Sequence, residues 1–162
     1  MYRISRLCAV HMQQQGIYQW NDHYPALQNF ADDLAKGELY VIDLGGEPLG
    51  SISLCMEKDE VYKEVEWLTP DGRQLYPHRL LVHPEHQGKG YARALMDFAE
   101  AHAREIGCAS VRLDTFSQNP RNIRFYEARG YQRLGDVYFP RQSPHPFHCF
   151  ELLLLSPTFG AH

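Results

Sequence analysis

One stretch constrains this chain more than any other: Leu80-Leu81-Val82-His83-Pro84-Glu85-His86-Gln87-Gly88-Lys89-Gly90-Tyr91-Ala92. An apolar run from Leu75 to Val82 reads as a buried strand and His83-Pro84 stops it. Two glycines one residue apart follow, and then the longest helical pattern in the sequence begins. Tyr91, Leu95, Phe98, His102 and Ile106 share one face of that helix. Arg93, Asp97, Glu100 and Arg104 share another, with Arg93/Asp97 and Glu100/Arg104 spaced i, i+4. Gly107 ends it, and Ser110–Thr115 reads as the next strand. Strand, helix and strand in this order form a parallel crossover. Glycines admit φ > 0 and let a ligand approach where a Cβ would stand. A helix start also leaves free N–H groups carrying partial positive charge, so the junction suits a pyrophosphate.

The rest of the chain builds around that unit. Ile4 to about Gln15 repeats apolar residues at helical spacing, and a second helix is expected from Pro25 to Gly37. Leu39–Leu44, Gly45-Gly46 and Leu49–Met56 read as a hairpin. The acidic stretch Glu57–Glu66 reads as a solvated loop, with Val65–Leu68 joining the sheet. Downstream, Pro120–Arg129 reads as a helix, and Tyr131–Phe139 and His148–Leu155 as strands. The expectation is a single domain over residues 1–162 of α/β (α+β) class, a mixed sheet flanked by helices.

Composition excludes several function classes. Sixteen Lys+Arg against twenty Asp+Glu give 16 − 20 = −4, which lacks the basic footprint of a nucleic-acid binder. The longest apolar run, Leu152–Leu155, falls far short of the ~20 residues that cross a bilayer. The N-terminus lacks a signal-peptide core, so neither nucleic acid nor membrane is expected as a partner and the location is read as cytoplasmic. Cys8, Cys55, Cys108 and Cys149 form no C-x-x-C and are read as reduced, buried thiols. His83/His86 and His145/His148 sit beside prolines rather than at i, i+4 on a helix, so no metal is expected.

Three phosphate-binding patterns compete at the glycines. A P-loop requires Ser or Thr after its Lys, but here Lys89 lies between the glycines; a dinucleotide fingerprint requires a small residue where Arg93 stands. The third, Q/R-x-x-G-x-G/A, is met by Gln87-Gly88-Lys89-Gly90-Tyr91-Ala92 and resembles the coenzyme-A motif of the GCN5-related N-acetyltransferase (GNAT) family. Downstream, Asn119-Pro120-Arg121-Asn122-Ile123-Arg124-Phe125-Tyr126-Glu127-Ala128-Arg129-Gly130-Tyr131 resembles the family's N-x-x-A-x-x-F-Y-E-x-x-G-F/Y segment, with Asn122 where Ala is common. The resemblance covers roughly Leu39–Leu155.

That resemblance implies a largely antiparallel sheet whose two central parallel strands splay apart. Acetyl-CoA is the implied co-substrate, its pantetheine arm lying between those strands. Backbone groups of Leu80, Leu81 and Val82 and the amide of Asn119 would meet the arm. Gln87, Gly88, Lys89, Gly90, Tyr91 and Ala92 would hold the pyrophosphate, with Arg93 and Arg124 nearby. Tyr126 matches the proton donor to the departing sulfur. Asp114 and His78 are rival bases for the attacking amine, unless a water chain serves instead. Trp20, His23 and Tyr24, in the aromatic loop between the first two helices, would line the acceptor site. The implied reaction is direct acetyl transfer to an amine of a small molecule or peptide. The rivals are a non-catalytic acyl-CoA-binding module and, more distantly, a dinucleotide oxidoreductase.

The resemblance also implies a strand ahead of the first helix, where this sequence already has a helical pattern at Ile4. Either the sheet lacks that edge strand or the sequence starts inside a longer one. An uncovered edge would pair with a second copy, giving a homodimer.

Overall fold

The structure is a computed structural model and describes residues 1–154. Helices α1 (Tyr2–Gln14) and α2 (Leu27–Ala35) precede strands β1 (Leu39–Leu44), β2 (Glu47–Cys55) and β3 (Gln74–Val82). Helix α3 (Tyr91–Glu105), strand β4 (Ser110–Phe116), helix α4 (Pro120–Ala128) and strands β5 (Gln132–Val137) and β6 (Phe147–Leu153) follow. The six strands form one sheet in the order β1-β2-β3-β4-β6-β5. Every pairing is antiparallel except β3–β4. This is the mixed, mostly antiparallel α/β sheet expected, with β1 at its outer edge and α1 opening the described chain. Leu155, the expected end of the last strand, lies outside the described residues.

Strand alternation sorts the core onto two faces. On one, Val111 and Leu113 of β4 pack with Leu95, Met96, Ala99 and Ala103 of α3 and with Phe150 of β6. On the other, Phe116 of β4 joins Tyr76, Phe147, Cys149 and Tyr62. A third cluster seats Ile4, Cys8 and Ala9 of α1 and Phe30 of α2 against Leu81. The hairpin turn Gly45-Gly46 takes φ of 61° and 89°, which two-residue hairpins require.

Four expectations need correction. Pro25 stands before the N-cap Ala26 rather than inside α2. The buried stripe of α3 is Leu95-Met96-Ala99-Glu100-Ala103, whereas Phe98 is exposed and stacks on His102. The α3 carboxylates do not pair along their own helix: Arg129 reaches across to Asp97 at 2.7 Å and to Glu100 at 2.7 Å. Most consequentially, Glu57–Glu66 is more than a solvated loop, although Glu57, Glu60, Glu64 and Glu66 stay exposed. It winds a 3₁₀ turn at Glu60–Tyr62 that drives Tyr62 into full burial, and Val65–Leu68 adds no strand. Apolar Val61, Tyr62 and Val65 outweigh the charges around them.

Candidate active site

β3 and β4 run parallel but pair only at Gln74↔Ser110 and Leu75↔Val111. Beyond those two positions the strands part, and a cleft of about 1130 Å³ opens. Its walls include Leu80, Leu81 and Val82 of β3, Leu113, Asp114 and Thr115 of β4, and Asn119 and Tyr126 of the α4 segment.

A break in the β2–β3 ladder shapes one wall. Ser51 pairs with Leu81 and Ser53 with His78, so Arg79 and Leu80 together oppose Ile52 alone. This is a β-bulge, and Arg79 adopts φ 50°, a left-handed conformation rare for a residue with a Cβ. Two groups hold it there. Asp33 of α2 takes the guanidinium through both carboxylate oxygens, and the Tyr24 hydroxyl lies 3.2 Å from Nη1.

The glycine turn for which a phosphate cradle was expected leads from β3 into α3. Gly88 and Gly90 take φ of 77° and 90°, and a Cβ on either would meet no atom within 4 Å, only cleft space. Gly90 caps α3 without any side-chain hydrogen bond, so the first-turn N–H groups stay available. Gln87, Gly88, Gly90, Tyr91, Ala92 and Arg93 line the cleft. Lys89 and Arg124 fall outside that lining, whereas Arg121, not among the expected residues, lies within it, its Nη1 3.4 Å from Gln87 Oε1. Gln87 Nε2 donates to the Val82 carbonyl at 3.0 Å, which ties the glycine turn to the strand end. Glycine turn, free helix start and parted strands fit an elongated thioester with a diphosphate.

The candidate proton-handling groups converge on the same cleft. Tyr126 is buried and its hydroxyl makes no hydrogen bond among the described residues. Burial, reinforced by the Asp114 carboxylate, pushes its phenol well up, so it stays protonated. Burial raises Asp114 to about 6, opposed by a hydrogen bond from Tyr62 and helped by Asp59. His78 is driven down to about 4 by burial and then by the Arg79 guanidinium, so it is neutral at pH 7 but a weak base. Asn119 spends its side chain locally: Oδ1 accepts the Asn122 N–H and Nδ2 donates to Gln19. Trp20 is buried in the α1 cluster, a core plug at the cleft wall; His23 is exposed at the rim. Among the described residues no group of three or more His, Cys, Asp or Glu is placed to hold a metal.

The acetyltransferase (GNAT) family model matches residues 4–131. The chain belongs to that family. N-acetyltransferase family 8 member 2 of Rattus norvegicus is 30% identical over 105 residues, 64% of this chain and 42% of that protein. The chain spans less than half the length of the curated N-acetyltransferase 8 relatives it matches. A GNAT-family acetyltransferase of Streptococcus agalactiae 2603 superposes with a TM-score of 0.76 at 23% identity, covering 94% of this chain and 86% of that one. Arabidopsis thaliana Naa50, solved with the bisubstrate analogue CoA-Ac-MVNAL, gives a TM-score of 0.64 at 17% identity over 89% of this chain and 93% of that one. The shared GNAT fold includes the parallel β3–β4 pair that carries the cleft.

Three residues in or beside this cleft escaped sequence reasoning, although each left a signal. Arg79 is a charged residue inside an apolar strand. Asp33 follows Phe30 at i+3 on the buried face of α2. Tyr62 sits among apolar residues in an acidic stretch.

Proposed function

We propose that this chain is a single acetyltransferase domain that moves an acetyl group from acetyl-CoA directly to an amine of a small molecule or peptide. One observation carries the reading: the glycine turn at the α3 start and the gap between β3 and β4 are continuous in one cleft that also holds Tyr126 and Asp114. Bound there, acetyl-CoA would supply an activated acyl carbon and a thiolate leaving group.

The chain's own groups then have separable tasks. Gly88, Gly90 and the free N–H groups of the first α3 turn bind the diphosphate. Backbone groups of Leu80–Val82 pair with the pantetheine arm, and the amide freed by the Arg79 bulge polarises the thioester carbonyl. Asp114 takes a proton from the incoming ammonium, which must be neutral to attack. Tyr126 gives a proton to the sulfur as it leaves. Asp114 is the better base than His78, since a group titrating near 6 is matched to neutral pH. Tyr24 and the aromatic segment around Trp20 and His23 border the acceptor.

The β1 edge, unpaired among the described residues and with Val41 and Leu44 exposed, supports a homodimer. Four unpaired cysteines support a reducing, cytoplasmic setting. No described helix is long and apolar enough to cross a membrane.

The deciding experiment presents acetyl-CoA with a panel of free amino acids, polyamines and peptides with free N-termini, and reads released thiol. Amine-dependent thiol release with acetylated product by mass spectrometry is the expected outcome. Tight acetyl-CoA binding with no turnover across the panel would favour a non-catalytic acyl-CoA module.

A further inference from the structure

Asp114 offers two carboxylate oxygens, and the protein engages one of them. The Tyr62 hydroxyl donates to Oδ2. Oδ1 makes no hydrogen bond among the described residues, and Asp114 lines the cleft. A carboxylate on a short side chain turns freely about its terminal torsion. A donor that is itself fixed would choose which oxygen faces the acceptor.

Tyr62 is such a donor. Its ring is fully buried, with Trp67 edge-on at 5.2 Å and Tyr76 tilted at 5.9 Å. Trp67 Nε1 donates to the Tyr62 carbonyl at 3.1 Å, and the Arg112 guanidinium lies over the Trp67 ring at 4.8 Å. Asp59 caps the 3₁₀ turn by accepting the Val61 N–H at 3.2 Å. Backbone, ring and neighbours are thus all anchored, and the hydroxyl is the one polar atom of the side chain. Packing alone would be served by Phe.

We propose that Tyr62 is a positioning residue that holds Asp114 with Oδ2 engaged and Oδ1 presented to the acceptor amine. The role rests on the reading of Asp114 as the base. Other ionisable groups face Asp114 from every side: Asp59 from the same segment as Tyr62, Tyr126 from α4, Tyr24 from the α1–α2 loop and Cys149 from β6. None of these donates a hydrogen bond to the carboxylate; among the described residues Tyr62 alone does.

The test follows the carboxyl carbon of Asp114 by NMR in protein labelled with ¹³Cγ-aspartate, the resonance identified by its loss in Asp114→Asn. Removing a hydrogen bond to a charged group should move the titration midpoint upward by about one pH unit in Tyr62→Phe. The dissociation constant of coenzyme A should stay within about twofold of wild type. In 3-fluorotyrosine placed at position 62, a stronger donor in an unchanged ring, the midpoint should move downward; this arm decides should Tyr62→Phe fail to fold. An Asp114 midpoint indifferent to both changes would overturn the proposal. Turnover of Asp114→Asn with the fastest amine of the acceptor panel separates the two readings. Loss of turnover there supports Tyr62 acting through a base. Wild-type turnover would remove the base, and the role of Tyr62 with it, even with the titration shift intact.

Discussion

The Arg79 guanidinium closes on both oxygens of Asp33, with Nη2 2.7 Å from Oδ1 and 2.6 Å from Oδ2. The pair ties α2, beside the expected acceptor site, to the bulge that shapes the cleft wall. Both side chains are nearly enclosed, so removing one partner leaves the other charged and poorly solvated. Asp33→Ala should therefore cost about 3–5 kcal/mol of stability, read from urea midpoints. Arg79→Ala and Arg79→Gly then separate side chain from backbone. Both lose the ion pair, but only glycine accepts φ 50° without strain, so the glycine variant should be the more stable by about 1–2 kcal/mol. Equal stability would mean the bulge relaxes once the latch is gone.

Tyr126 loses no hydrogen bond when its hydroxyl is removed, because none is present among the described residues. Tyr126→Phe should accordingly leave unfolding and acetyl-CoA binding close to wild type. Turnover should fall by about 10²–10⁴-fold, the usual worth of a positioned general acid. Calorimetric binding beside thiol-release kinetics checks both halves. A large loss of acetyl-CoA affinity would recast Tyr126 as a packing residue of the cleft.

As the proposed base, Asp114 must be ionised, and it titrates at about 6. Below that pH, kcat/KM should fall about tenfold per unit as one proton blocks the base. The same shift has a stability consequence of known sign. The folded state holds the Asp114 proton up to about pH 6, whereas the unfolded chain releases it near 3.8. This carboxyl therefore weakens the fold as pH rises through that window. Asp114→Asn should be more stable than wild type at pH 8, by about 1–3 kcal/mol, while its turnover collapses. Stability and activity moving together would place Asp114 in a structural role.

The parallel crossover and the glycine turn before α3 were legible because local rules fix them. A β-strand, a proline stop and two glycines leave the backbone few options, and the resulting φ of 77° and 90° needs residues without Cβ. Asp114 and Tyr126 were legible only through the family resemblance, since their convergence depends on strands and a helix far apart in sequence. Tyr62 and Asp33 left only faint local signals, too weak to reveal their partners. Each acts through a partner 46 or more residues away, Asp33 on Arg79 and Tyr62 on Asp114. Burial overrode the acidic composition around Tyr62 because an aromatic ring gains more from the core than nearby carboxylates lose at the surface. The α3 face was misjudged for a related reason: Ala99 and Ala103 permit close helix–sheet approach, so the small residues turn inward and Phe98 turns out.

Arg112 and Glu151 form the most deeply buried ion pair of the described chain, with both side chains fully enclosed and Nε 3.1 Å from Oε1. Glu151 also accepts from Ser110 at 2.6 Å, from Thr69 and from the Leu68 N–H at 2.5 Å each. Burial alone would raise this carboxyl, yet four donors hold it below its usual range. The folded state thus prefers the ionised form. The stability it contributes is complete above pH 4.5, the ordinary carboxyl value, and is lost as pH falls through the lowered folded value. Glu151→Gln keeps the volume but leaves Arg112 with only the exposed Asp71 as a counter-charge. The loss should be about 3–5 kcal/mol at pH 7. It should shrink toward acid pH, because the wild type then surrenders what the variant never had. Urea midpoints for both proteins between pH 3 and pH 7 give the comparison, and parallel curves would show that the Glu151 charge is not what holds the 68–71 segment to the sheet.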